Sequence, residues 1–224
     1  MIIVFDLDDT LYEEISYVKS GFRAVADYFE QKYSIPAEES FSFMLEKLKG
    51  ERGKIFDDLL YFYDTFTRER VKKCLSIYRG HFPNITLYPE ADIFLRKFVE
   101  CPIYIVTDGN KLVQQKKLSA LEIENRVKFS FITHRYGKMR AKPSPYCFLK
   151  IAEWEKALPE DIVYVGDNPY KDFVGIKPLG FRTVRILQGN FKDIRLAEEY
   201  EAQRSIHSLT ELTEEFLEEL FIKQ

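Results

Sequence analysis

The chain opens on a short apolar run, Met1-Ile2-Ile3-Val4-Phe5, that ends abruptly in Asp6-Leu7-Asp8-Asp9-Thr10. A run apolar at every position fits a strand buried on both faces, as in a parallel sheet covered by helices. That reading restricts the chain to α/β architectures, because parallel strands need long crossovers, usually helical. If the backbone stays extended through Leu7, alternation puts Asp6 and Asp8 on one side, just past the strand's carboxyl end. Ligands bind at that end in open α/β sheets. Two carboxylates so close repel, and need a cation, a shared proton or both. Oxygen-only ligands favour a hard ion such as Mg²⁺. One carboxylate can then attack phosphorus while its neighbour handles a proton. The same residues also fit a helix N-cap in which Thr10 or Asp9 satisfies free amides. On these residues alone both readings stand.

Three later segments share the strand-then-polar-loop layout. Ile103-Tyr104-Ile105-Val106 runs into Thr107-Asp108-Gly109-Asn110, and Lys142-Pro143 follows the Val127–Ile132 region. Ile162-Val163-Tyr164-Val165 runs into Gly166-Asp167-Asn168-Pro169-Tyr170-Lys171-Asp172. As buried strands, these would bring a hydroxyl, a lysine and further carboxylates to one sheet edge beside Asp6. Phosphoryl transfer through an aspartyl phosphate needs such a set.

With these four segments the chain resembles the haloacid dehalogenase-like (HAD) hydrolase superfamily, in its phosphatase branch. The likeness covers four motifs in order: Asp6-Leu7-Asp8-Asp9-Thr10, Thr107-Asp108-Gly109, Lys142-Pro143, and Gly166-Asp167 through Asp172. It implies that Asp6 is the nucleophile and forms a phospho-aspartate. Asp8 would protonate the leaving alkoxide and then deprotonate water. Asp167, with a carboxylate of Asp6 and the backbone carbonyl of Asp8, would hold Mg²⁺. Asp172 would ligate the metal or orient Lys142. Thr107 and the Asp108 and Gly109 amides would bind phosphoryl oxygens, with Lys142 neutralising charge. Bland readings stay open beside these roles. Thr107 fits a cap for the helix beginning near Asn110, Lys142 a surface lysine, and Asp172 a charge at a helix N-terminus.

The chain departs from the family pattern at one place. Gly137-Lys138-Met139-Arg140-Ala141 puts four residues between the glycine and Lys142, where many members have two-residue spacing. The loop geometry around Lys142 is left open, and Arg140 is a further source of positive charge there.

Asp6 and Thr107 lie about one hundred residues apart, whereas a βαβ unit needs only about thirty. Something is inserted. Helical patterning covers Ile15–Tyr33, Ala37–Lys49, Lys54–Tyr63 and Thr65–Phe82, with breaks at Ser34-Ile35-Pro36 and Gly50-Glu51-Arg52-Gly53. A further helix, Pro89 to Val99, returns to the core, and the stretch from Ser208 to Leu220 reads as a capped terminal helix. The resemblance implies an all-helical cap after the first motif. The expected fold is therefore an α/β, Rossmann-like parallel sheet with helices on both faces, made of residues 1–12 and 86–224, plus a helical cap of residues 13–85.

Acidic and basic residues nearly balance, at 36 against 33, which leaves no electrostatic footprint for nucleic acid. There is no polybasic or long apolar stretch for a membrane. Three unpatterned cysteines read as reduced thiols. A cytoplasmic monomer or small homo-oligomer is expected. Its expected activity is Mg²⁺-dependent hydrolysis of a small phosphorylated metabolite, a sugar phosphate or nucleotide-like monophosphate. A phosphomutase using the same intermediate, or a non-catalytic protein keeping the fold, are the alternatives. Arg52, between two glycines, is a candidate for holding a second group of the substrate, or a solvent-exposed turn residue. Tyr12 and Tyr17 read as cavity-lining or core.

Overall fold

Every residue of β1 (Ile2–Phe5) is buried in the computed structural model, and the strand has a parallel partner on each side. The structure describes residues 1–50 and 52–222, with the Arg52 side chain outside the described residues. β1 pairs with β2 (Ile103–Thr107) on one edge and with β4 (Ile162–Gly166) on the other. The sheet continues through β3 (Phe129–Ile132) beyond β2, and through β5 (Arg182–Ile186) and β6 (Arg204–Ile206) beyond β4. The order is β3-β2-β1-β4-β5-β6, parallel throughout. This order reverses direction between β1 and β4, the switch point where a crevice opens past the strand ends.

Helices cover both faces, which explains the uninterrupted apolar strands. Val4, Tyr104, Val106 and Tyr164 pack with Phe148 and Ile151 of α7 (Tyr146–Glu155). On the opposite face Phe5 meets Phe94 of α5 (Pro89–Lys97) edge-to-face at 5.3 Å. α6 (Lys111–Ala120) follows β2, and its N-terminus is capped by Asn110, whose side chain accepts from the Leu112 and Val113 amides. The helix-cap reading of Thr107 therefore gives way to Asn110.

The chain divides into two compact units: Met1–Glu14 with Thr86–Gln224, and Ile15–Ile85. The second is helical, built from α1 (Glu14–Tyr33), α2 (Ala37–Leu48), α3 (Ile55–Phe62) and α4 (Arg68–Gly80). Phe22, Val25, Ala26 and Phe29 recur at helical spacing on α1 and are buried with Met44, Phe56, Leu59, Leu60 and Cys74. α4 starts three residues later than the periodicity suggests, because the Thr67 hydroxyl caps it by accepting from the Arg70 amide at 3.2 Å. Within the first unit, the Tyr88 amide donates to the Leu11 carbonyl at 2.9 Å.

The C-terminal stretch differs from the sequence expectation. Ser208 does form a capping box with Glu211, but it heads a 3₁₀ turn, Leu209–Glu211. Thr213 restarts the chain as α8 (Glu214–Phe221) by accepting from the Phe216 amide. The three-residue β6 has too short a pattern to be read as a strand. Among the described residues no helix is long and apolar enough to cross a membrane.

Candidate active site

The strand-end loops bring the acidic motif residues into one crevice. Asp6 follows β1, and its amide donates to the Val165 carbonyl of β4 at 2.8 Å. Asp167 directly follows β4, and Asp172 lies five residues on in a turn whose Asp172 amide donates to the Asn168 carbonyl. Asp6, Asp167 and Asp172 are all buried, and each offers a carboxylate oxygen within 4.8 Å of the others. Asp172 is thus a buried loop residue, so the helix-terminus reading does not hold. Gly166 makes room for it: a Cβ there would stand 2.6 Å from Asp172 Oδ2.

Lys142 is the cation that answers this cluster. Its fully buried ammonium lies 2.8 Å from both Asp6 Oδ1 and Asp172 Oδ1, and donates to the Tyr164 hydroxyl at 2.8 Å. The long loop before it does not displace it, because the Lys142 amide is pinned to Asp108 Oδ1 at 3.1 Å. Gly175 lets the neighbouring turn close against this loop, since any Cβ there would overlap the Pro143 carbonyl oxygen. Arg140 does not join the site; its guanidinium stacks on Tyr146 at 4.5 Å. A second positive charge comes instead from Lys171, whose ammonium lies 3.2 Å from Asp108 Oδ2.

Charge crowding sets the protonation of the site. Burial pushes the Asp6 carboxyl up to about 6 despite the pull of Lys142. Burial, and then Asp172 and Asp6, push Asp167 up to about 9. Burial works against the Lys142 charge, but Asp172 and Asp6 outweigh it and hold the ammonium well above its ordinary value. Three buried carboxylates beside one fixed monocation form an oxygen-only, anion-rich set that suits a hard divalent ion.

Asp8 lies outside this cluster and has partners of its own. Its Oδ1 accepts from the Lys117 ammonium at 2.6 Å and from the Tyr12 hydroxyl, and its Oδ2 accepts from Gln114 Nε2 at 3.0 Å. Burial alone would raise the Asp8 carboxyl, but Lys117, by charge and hydrogen bond, with Tyr12 and Gln114, holds it below its ordinary value. Gln114 Nε2 also donates to Thr107 Oγ1 at 2.5 Å, at the end of β2. Asp108 accepts from the Thr133 hydroxyl at 2.6 Å, and Gly109 turns the chain at φ +134°. Asp9 holds the neighbouring loops, accepting from the Glu14 amide at 2.8 Å and from the Asn190 amide at 3.2 Å.

A crevice of about 260 Å³ results, lined by Asp6, Asp8, Thr107, Asp108, Asp167 and Lys171 among others, with Phe191 on its wall. Phe191 is fixed from behind by Arg185, a fully buried strand residue that donates to the Phe191 carbonyl at 2.6 Å and pairs with Glu201. Sequence reasoning gave no role to Lys117, Gln114, Lys171 or Arg185. Lys171 had a visible signal, a lysine beside Asp172 in the fourth motif. Tyr12 is buried core with its hydroxyl on Asp8, and Tyr17 belongs to the helical unit, where its hydroxyl donates to the Tyr78 carbonyl at 3.3 Å. Arg52, the candidate for a second substrate group, has its side chain outside the described residues.

A family model described as haloacid dehalogenase-like hydrolase matches residues 1–180. A glyceraldehyde 3-phosphate phosphatase of Methanocaldococcus jannaschii is 32% identical, with 95% of each chain covered. One of Pyrococcus furiosus is 25% identical over 95% of this chain and 91% of its own. Among solved structures, a HAD phosphatase from Thermococcus onnurineus superposes with a TM-score of 0.60 at 24% identity, covering 96% of this chain and 97% of its own.

Proposed function

The chain belongs to the haloacid dehalogenase-like hydrolase family, and from that premise we propose a Mg²⁺-dependent phosphatase that forms a phospho-aspartate on Asp6. It is a phosphoric monoester hydrolase of small phosphorylated metabolites, as its relatives are named. A triose or similar small sugar phosphate is the proposed substrate, supported by those names and by a crevice of about 260 Å³. The helical unit is proposed to act as a cap, and the setting to be cytoplasmic, in keeping with free thiols at Cys74, Cys101 and Cys147.

This reading is supported by the separate partner sets of Asp6 and Asp8. Asp6 shares Lys142 with Asp172 in the three-carboxylate cluster, whereas Asp8 has separate donors. Asp6, Asp167 and Asp172, with the Asp8 backbone carbonyl, would hold Mg²⁺. The ion would screen the approach of an anionic nucleophile to an anionic phosphate. Asp6 then attacks phosphorus, and Lys142 and Lys171 balance charge on the phosphoryl oxygens. Thr107 and the Asp108 and Gly109 amides orient those oxygens. Asp8 gives a proton to the departing alkoxide and takes one from the water that cleaves the phospho-aspartate.

Asp6→Asn tests the reading, since an amide cannot form the acyl phosphate. The folded variant should lose about 10³-fold or more in turnover. It should also fail to trap BeF₃⁻, and the parent should release inorganic phosphate stoichiometrically with alcohol. Substantial turnover by the pure variant would refute the covalent route.

A further inference from the structure

The grip on Asp8 is unequal at its two oxygens. Oδ1 takes two donors, the Lys117 ammonium at 2.6 Å and the Tyr12 hydroxyl. Oδ2 takes one neutral amide, Gln114 Nε2 at 3.0 Å, which Asp8 shares with Thr107. A carboxylate has about four lone-pair sites, so Oδ1 is filled and Oδ2 keeps an open one. Of the three donors Lys117 alone carries a full charge, so its contact adds ion-pair attraction to the hydrogen bond and anchors the group. Its side chain is 5% exposed against 22% for that of Asp8, so the ammonium lies behind the carboxylate, away from solvent. Gln114 and Lys117 stand three residues apart on α6 and therefore share a face.

We propose that Lys117 is a positioning residue that fixes Asp8 through Oδ1, leaving Oδ2 to exchange the proton with the leaving oxygen and with water. Gln114 ties that oxygen to Thr107, so one helix face sets the proton-transfer group and the phosphate-side hydroxyl in a common frame. A salt bridge serving stability alone has no need of this partition between the two oxygens. The proposal rests on the reading of Asp8 as the proton-transfer group.

The test compares kcat/KM for glycerol phosphate, whose alkoxide needs a proton, with that for para-nitrophenyl phosphate, whose leaving group hardly does. This ratio reports the steps up to departure of the leaving group, whichever later step limits turnover. Asp8→Asn sets the scale, about 10²–10⁴-fold on the alkyl ester. Lys117→Met should cost about 10–100-fold on the alkyl ester and under about 3-fold on the aryl ester, as a partial loss of that assistance. Lys117→Arg should restore much of the difference. In the Asp8→Asn background, Lys117→Met should add little further loss, because both act through one group. Tyr12→Phe, nearly isosteric, should shift the two esters apart in the same sense by a smaller factor, and it decides the question should Lys117→Met not fold. Equal losses on both esters, or losses that multiply with Asp8→Asn, would overturn the proposal. If Asp8→Asn itself treats both esters alike, the general-acid reading fails, and the proposal with it.

Discussion

Replacing a buried carboxylate of the acidic cluster should stabilise the protein in chelator, and Asp167→Asn is where the effect should be largest. Asp167 is 4% exposed, and burial, Asp172 and Asp6 push its carboxyl up to about 9. In the unfolded chain it titrates near its ordinary value, about 3.9. Between those limits the folded protein holds a proton that the unfolded chain has released. Stability therefore falls as pH rises, by about 1.4 kcal/mol per unit for one proton. From pH 5 to pH 8 this amounts to about 4 kcal/mol, which asparagine, having no proton to hold, escapes. Asp6 is present in both proteins and cancels to first order in the difference. Urea unfolding in chelator, followed by the fluorescence of Trp154, measures it; this single tryptophan packs in the α/β unit against Phe129 and Phe131. The variant should exceed its parent at pH 8 by about 2–4 kcal/mol and match it more closely at pH 5. Mg²⁺ should narrow or invert the gap at pH 8, because an ion at 100 times its Kd adds about 2.7 kcal/mol to the protein that binds it. A gap that stays flat with pH, or a variant less stable than its parent in chelator at pH 8, would refute the reasoning.

Three further outcomes are expected. Lys142→Met should destabilise by about 3–5 kcal/mol at neutral pH, because it leaves Asp6 and Asp172 buried without their cation; acid or Mg²⁺ should recover part of this in thermal unfolding. Gly175→Ala should lower the melting temperature and weaken turnover together, since its Cβ would collide with backbone at Pro143, next to Lys142; an unchanged melting temperature would show that the turn yields freely. Chelation should abolish phosphate release and Mg²⁺ restore it, with Ca²⁺ a poor substitute because its shell is larger and more flexible; full activity in a metal-free preparation would exclude the metal role.

The sheet and the acidic crevice were legible because their signals are local. An apolar run broken by Asp6 or Asp167 states both a buried strand and a polar strand end, and the crevice follows from parallel topology. What escaped is carried by tertiary placement. Lys117 stands in Gln114-Gln115-Lys116-Lys117, a polar run of α6 in which nothing marks the one lysine that turns inward. Arg185 reads as a charge interrupting β5, yet it is fully buried because Glu201 and the Phe191 carbonyl, distant in sequence pattern, complete its bonds. Ser208 and Glu211 announce a local capping bond, but a 3₁₀ turn uses the same cap as an α-helix, so the cap alone does not say which element it heads. Lys142 illustrates the converse case. Its loop departs in length from the family pattern, but the Asp108 tether and the buried Asp6–Asp172 pair hold its end point.

The hydrogen bond from the Tyr88 amide to the Leu11 carbonyl joins the points where the chain leaves the α/β unit and comes back to it. At that seam the polypeptide is effectively spliced: the sheet's continuity does not depend on how many residues the detour contains. Doubling the length of such an excursion costs only about 0.6 kcal/mol in closure entropy. Its sequence can therefore drift, lengthen or be exchanged for another module while Asp6 and Asp8 keep their register. Variation within the helical detour and retention of the acidic crevice are thereby left to separable stretches of one chain.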